Sequence, residues 1–313
     1  MGSAVGRVEP LTAKILACRG LIGDGAAKFL DPKLTDLHDP ALLPNADRAA
    51  ERFLDALRAN HKVVIYGDYD VDGVTASSIL YHVAKAIAPD SPVEIYIPHR
   101  VDEGYGLNAD AIRSLCDDGA SLIVSVDCGV TAVEPARVAR ERGVDLIITD
   151  HHNMLAPERA GDDPPLPDCF AIVHPRLPGS TYPFHELAGA GVAFKLAWRI
   201  ATMHAGSERV PAALRETLLD LLAFASLGTI ADIVPLVDEN RVIAKFGLSR
   251  LRAMRNEGLR ALIEASGLGG ERVSAEDVGF KLGPPLNACG RLGHAREAAE
   301  LLTTATGDRA HEI

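Results

Sequence analysis

The chain of 313 residues is poor in cysteine, and no two of its cysteines lie together. Cys18, Cys116, Cys128, Cys169 and Cys289 are odd in number, widely spaced and free of any C-x-x-C pair. That pattern excludes a disulfide framework and a zinc ribbon, and it points to a reducing cytoplasm. The amino terminus lacks the apolar core of a secretory signal. The uncharged run Leu221 to Ala231 is 11 residues long and stops at Asp232. It is too short to span a bilayer, so no membrane is expected. No Gly-Lys-Ser/Thr follows an early strand, which removes a Walker A nucleotide site. Repeats and low-complexity tracts are absent as well. Positive charge is scarce: 32 Lys and Arg against 43 Asp and Glu leave a formal net charge of −11. Phosphate contacts need Lys and Arg, so bulk charge argues against nucleic-acid binding unless some of the acidity serves bound cations.

What is present is a regular alternation. Short apolar, β-branched runs occur at Val63–Tyr66, Val93–Ile97, Leu122–Val126 and Leu146–Thr149, with a possible fifth at Ala171–Val173. Between them lie helical patterns at Val74–Ala88, Ala109–Cys116 and Thr131–Arg142. Such spacing indicates βαβ units and a parallel sheet. From Gly189 onward the pattern is helical, near 189–205, 211–228, 239–255 and 274–281. The expected fold is α/β, a parallel sheet with helices on both faces followed by a mostly helical region. Residues 1–60 read as an N-terminal helical segment, with an amphipathic helix over 46–58. Residues 61–295 read as the catalytic domain, its sheet part reaching to about 187. Residues 296–313 read as the start of a connector helix.

Three strand ends carry acid. The first strand runs into Gly67-Asp-Tyr-Asp-Val-Asp-Gly73, the third into Asp127-Cys-Gly129 and the fourth into Asp150-His-His152. In an open parallel sheet, ligands bind beyond the carboxyl ends of the strands, so chain order brings these groups to one edge. So many carboxylates cannot share a site unpaired, and divalent cations resolve the repulsion. Carboxylate and imidazole donors without thiolate suit Mn²⁺ or Mg²⁺ better than Zn²⁺ or Fe²⁺. Several carboxylates able to bridge suggest two ions, an arrangement that activates water and clamps a phosphoryl oxygen. A calcium EF-hand loop fails, because Ile79 stands where the twelfth-position Glu is needed and a strand precedes the loop. Asp70-x-Asp72 after a strand also resembles a haloacid-dehalogenase nucleophile motif, but that leaves Asp150-His-His unexplained.

Gly67-Asp-Tyr-Asp-Val-Asp-Gly-Val-Thr-Ala76, Val126-Asp-Cys-Gly129 and Thr149-Asp-His-His152 resemble, in order and spacing, the first three motifs of the DHH phosphoesterase family. Its RecJ branch is indicated by Pro98-His-Arg-Val-Asp-Glu-Gly-Tyr-Gly-Leu-Asn108, Ala188-Gly-Ala-Gly-Val-Ala-Phe-Lys195, Ala225–Pro235 and Leu286–Ala295. The resemblance implies metal-dependent 5′ to 3′ hydrolysis of single-stranded DNA in repair and recombination. It implies that Asp70, Asp72, Asp127, His151 and Asp232 ligate metal, with Asp127 and Asp232 as bridges, and that Asp68 is beside the metals or a ligand itself. His152 is expected to bind or protonate the phosphate and Asp150 to orient an imidazole, giving His152, Asp150 and Asp127 as catalytic residues. Arg100 and Arg291 are candidates to grip a phosphate, assisted by Asn287 and His294.

Single-stranded DNA is the expected partner, with a helicase and a single-strand-binding protein as further candidates. Arg241, Lys245 and Arg252 share a helix face that could track a DNA backbone or simply be solvated. Relatives carry a second domain with a Gly-rich motif after a long connector, and no such motif follows residue 290. The chain is therefore expected to bind metal but to cleave DNA weakly. Two other functions fit less well: a phosphodiesterase for small oligonucleotides or cyclic dinucleotides, and a non-catalytic scaffold that binds single strands.

Overall fold

The structure is a computed structural model that describes residues 9–99, 103, 104, 106–157, 159, 162–291 and 295–313. Its centre is a five-stranded parallel sheet: β1 (Val63–Gly67), β2 (Val93–Tyr96), β3 (Leu122–Val126), β4 (Asp145–Thr149) and β5 (Ala171–Val173), in the order β2-β1-β3-β4-β5. Register is continuous through the middle, with Ile65 opposite Val124, and Val124 opposite Ile147. β1 and β3 are apolar on both faces because both faces are covered. On one side Val63, Ile65, Val124 and Ile147 pack against the main core. On the other side Val64, Tyr66, Ile123 and Ile148 form a second core with Ile112 and Ala139. Those two residues come from α5 (Ala109–Asp117) and α6 (Val133–Glu141).

The main core also holds α3 (Ala46–Arg58), α4 (Val71–Ile87), α7 (Gly189–Ala205) and α8 (Ala212–Ala231). The N-terminal segment contributes the short helices α1 (Pro10–Cys18) and α2 (Gly23–Leu30), and its α3 buries Phe53 and Leu54 in that same core. α4 is buried almost throughout, including Thr75, Ser77 and Ser78. Each of these hydroxyls donates to a carbonyl three or four residues back, so no donor is stranded.

After α8 come α9 (Asp238–Leu251), α10 (Glu257–Ala265), a helical stretch over 275–282 that ends in a π-helical turn, and α11 (Gly283–Arg291). The last segment departs from the expected connector. It forms two short helices, α12 (Ala295–Thr303) and α13 (Gly307–Glu312), broken at 304–306, and α12 buries Ala298 and Leu302 in the core.

A buried ion pair joins α7 to α9. Lys195 Nζ lies 2.6 Å from Glu239, both side chains being fully buried. Tyr182 OH also donates to that carboxylate, as does the backbone N–H of His38 at 2.9 Å. The N-terminal segment is thereby tied to the helical region. The basic face of α9 serves the same end. Arg241 donates to the Phe29 carbonyl and stacks 3.7 Å over its ring, while Lys245 bonds Asp31 Oδ1 and the Pro32 carbonyl. Two of the three cations proposed to follow DNA thus grip the end of α2 and the turn after it. A sequence shows that a helix face is basic but not what packs beside it.

Candidate metal centre

The site forms where the strand order reverses, at the carboxyl ends of β1 and β3 with β4 beside them. Such a crevice is where ligands of open α/β sheets bind. Asp70 caps α4, its Oδ1 accepting from the Gly73 N–H at 3.0 Å. Gly73 permits the tight turn, since a Cβ there would stand 2.6 Å from the Asp68 carbonyl oxygen. Asp72, one residue into the helix, points at the start of α7. It accepts from the Gly189 N–H at 2.7 Å and the Ala190 N–H at 2.9 Å. The positive end of α7 therefore steadies this carboxylate. Asp127 follows β3 with φ of +59°, a left-handed conformation that Asp tolerates better than most residues.

His151 Nε2 lies 3.1 Å from Asp127 Oδ1 and 3.7 Å from both Asp72 Oδ2 and Asp232 Oδ2. Asp232 comes from the end of α8, 81 positions further along the chain. Three overlapping sets have ligand atoms within 4.8 Å of one another: Asp68, Asp70 and Asp127; Asp72, His151 and Asp232; and Asp127, His151 and His152. Asp68 Oδ1, Asp127 Oδ1 and His151 Nε2 are buried without a hydrogen-bond partner. A buried polar atom left unpaired is costly. Asp127 is grouped with Asp68 on one side and with His151 on the other, and oxygen and imidazole nitrogen donors so placed fit divalent cations.

Electrostatics describe the same strain. Burial, and then the charge of Asp70, pushes Asp68 and Asp72 up to about 7. Burial and the Asp72 charge push Asp232 up to about 6, and the same causes hold Asp127 well above the ordinary carboxylate value. Asp150 behaves oppositely. Burial would raise it, but hydrogen bonds and the neighbouring His152 hold it at about 2. Its Oδ1 accepts from His152 Nδ1 at 2.8 Å and from the backbone N–H groups of His151 and His152, and its Oδ2 accepts from Val130. His152 is raised in return, while burial and the charge of His152 lower His151. The two imidazoles thus sit 4.5 Å apart in different electrostatic states.

Residues 62–226 match the DHH family, N-terminal domain. The chain belongs to the DHH family. It is 46% identical to the single-stranded-DNA-specific exonuclease RecJ of Bacillus subtilis, over 98% of this chain and 36% of that protein. To the Escherichia coli RecJ it is 33% identical, over 94% of this chain and 50% of the relative. The chain therefore spans a third to a half of these relatives. Among solved structures, a RecJ exonuclease bound to manganese superposes with a TM-score of 0.73 at 35% identity, covering 90% of this chain and 65% of that one. RecJ of Thermus thermophilus in complex with Mn²⁺ gives a TM-score of 0.77 at 32% identity, covering 97% of this chain and 40% of that one.

Every metal-binding candidate of this DHH chain lies in one cluster, as do His152 and Asp150. The phosphate-binding candidates fare differently. Arg100, His294 and the side chain of Arg291 lie outside the described residues. Asn287 turns its Oδ1 to the Val71 N–H at 3.0 Å, holding the first turn of α4. That atom positions the motif loop. Three further residues brace the site. His174 Nε2 donates to the His152 carbonyl at 2.9 Å, and its Nδ1 accepts from the Arg176 N–H at 3.0 Å, which fixes a neutral tautomer. Arg176 donates to the His151 carbonyl. Asn240 ties the Glu186 and Pro235 carbonyls together, joining the loop before α7 to the loop after Asp232. His174-Pro-Arg176 directly follows β5, so its strand-end place was a signal available in the sequence.

Proposed function

We propose that this chain is the hydrolytic domain of a metal-dependent 5′ to 3′ exonuclease acting on single-stranded DNA, as its RecJ relatives are named. The convergence of six predicted ligands from β1, β3, β4 and α8 on unpaired buried atoms carries this reading. Asp68, Asp70, Asp72, Asp127, His151 and Asp232 would hold two Mn²⁺ or Mg²⁺ ions, which would supply charge neutralisation of a phosphate and polarisation of water. His152, its Nδ1 held by Asp150, presents Nε2 to a phosphate oxygen and supplies a proton to the leaving oxygen. Asp150 stays ionised at neutral pH, keeps that imidazole oriented and favours its protonated form. Arg100, Arg291 and His294, from the motifs that carry the family resemblance, would complete the grip on phosphate. A cytoplasmic location, a role in repair and recombination, and work beside a helicase and a single-strand-binding protein follow from the same reading.

The test is nucleotide release from 5′-phosphorylated single-stranded DNA, duplex DNA, oligoribonucleotides and a cyclic dinucleotide, each with Mn²⁺, Mg²⁺ or EDTA. Metal-dependent release from single-stranded DNA alone is expected, abolished in Asp127→Ala. Turnover of the cyclic dinucleotide with DNA untouched would reverse the substrate assignment. Metal-independent DNA binding that Asp127→Ala leaves intact, with no cleavage, would favour the scaffold.

A further inference from the structure

Asp232 ends α8, and the next residue, Ile233, has φ of +60°. A left-handed backbone is unfavourable for an L-residue and most so for a β-branched one. Isoleucine gains nothing in exchange from packing: Ile233 is 87% exposed, more than any other large hydrophobic residue among those described. Gly or Asn would make the same turn without strain, and either would leave less apolar surface in water. The fold therefore gives no reason for an isoleucine at this position.

The position itself is informative. The Cα of Ile233 is about 3.8 Å from that of Asp232, the fixed span of a trans peptide. The Asp232 carboxylate lies 3.7 Å from His151 and is partly exposed, so the site opens on this side. One turn back, Gly228 lies against Asp72, which seats the end of α8 on the metal centre. Strained residues cluster where a ligand is clamped. An exposed aliphatic side chain beside a phosphate-processing centre meets the apolar part of a nucleotide, its base and sugar. In a duplex the base face is stacked and paired, whereas in a single strand it is open to such a contact.

We propose that Ile233 is a substrate-contact residue that packs against the nucleoside next to the scissile phosphate and favours unpaired strands. This rests on the nuclease reading above. The test compares wild type with Ile233→Gly, Ile233→Asn and Ile233→Leu. Thermal stability, Mn²⁺ affinity and affinity for a 5′-phosphorylated oligothymidylate, by fluorescence anisotropy with Ca²⁺ in place of Mn²⁺, are measured for each. Gly and Asn are expected to leave Mn²⁺ affinity within about twofold, keep or raise Tm, and weaken DNA binding at least fivefold, roughly the loss of one good base contact. Leu should restore DNA affinity to within about twofold of wild type. If wild type binds no single strand, the nuclease reading and this inference fall together. If wild type binds and the Gly and Asn variants bind equally well, only this inference falls. A marked drop in Tm for Ile233→Gly also overturns it, because the side chain would then be packing within the protein.

Discussion

Binding of Mn²⁺ should displace protons, and the number displaced should depend steeply on pH. Asp68 and Asp72 are pushed up to about 7 by burial and then the charge of Asp70, and Asp232 to about 6 by burial and then that of Asp72. Asp127 lies well above the ordinary value for the same reasons. At pH 6 a group near 7 is about nine-tenths protonated and one near 6 about half. Together Asp68, Asp72 and Asp232 then hold roughly two protons that a cation must expel. Burial lowers His151, which favours the neutral form that binds metal. By pH 8.5 the first three groups together hold about a tenth of a proton. Apparent Mn²⁺ affinity should accordingly rise roughly 10²- to 10³-fold between pH 6 and 8, the groups titrating as one coupled set. Calorimetry in buffers of different ionisation enthalpy counts the protons directly. About two should leave at pH 6 and far fewer at pH 8.5, with Asp72→Asn lowering the first figure. A proton count of zero at pH 6, or affinity that falls as pH rises, would refute the reasoning.

The same values fix how metal-free stability depends on pH. Because the folded values lie above the ordinary carboxylate value near 3.9, these groups favour the fold when protonated. Their contribution is complete below about pH 4 and is lost as pH rises through 6 to 7. Saturating Mn²⁺ at about 100 times Kd should restore roughly 3 kcal/mol at pH 8, about 5–10 °C in a melting scan. A shift equally large at pH 5 would contradict this. Gly189→Ala would place a Cβ 2.6 Å from the Asp127 carboxyl carbon; Mn²⁺ affinity should fall at least about tenfold with the far-UV spectrum unchanged, and native affinity would show the packing to be slack. Lys195→Met leaves Glu239 buried without its cation and should cost about 3–5 kcal/mol by urea unfolding. Lys195→Met with Glu239→Leu should recover much of that loss, and additive losses would speak against the pairing. His174→Ala and Arg176→Ala release the carbonyls behind the two histidines, so each should lower kcat/KM about 10- to 100-fold. Unchanged kinetics in both would make the clamp incidental.

The sheet was legible because its central strands β1 and β3 are covered on both faces and so read as nearly unbroken apolar runs, followed by Asp68 and Asp127. The candidate ligands at the ends of β1, β3 and β4 followed, since parallel strands put their carboxyl ends on one edge. Asp232 was harder to reach, because no periodicity relates the end of a helix to a sheet it meets 81 residues after His151; resemblance supplied it. What the sequence could not carry are contacts whose partners are chosen by packing. The Gly189 N–H reaches Asp72 across 117 positions and Arg241 reaches Phe29 across 212. The first braces a metal ligand and the second uses up a cation that looked available for DNA.

These contacts also account for why an acidic chain can hold a phosphate-directed site. Around the centre nearly every polar group is satisfied from a fixed element: Asp72 by the start of α7, Asp150 by three backbone N–H groups and an imidazole, and the two histidines' carbonyls by His174 and Arg176. Atoms of Asp68, Asp127 and His151 are among those left unsatisfied, and the left-handed residues Asp127 and Ile233 stand at the same place. A rigid shell around a deliberately unbalanced centre is what a cation needs, because relaxation of the shell would let the carboxylates separate and the field dissipate. The acidity that argued against nucleic-acid binding in the composition is therefore concentrated where cations would reverse its sign. Phosphate recognition in this fold is then a property of the loaded site, and single-strand affinity should vanish with EDTA while the fold persists.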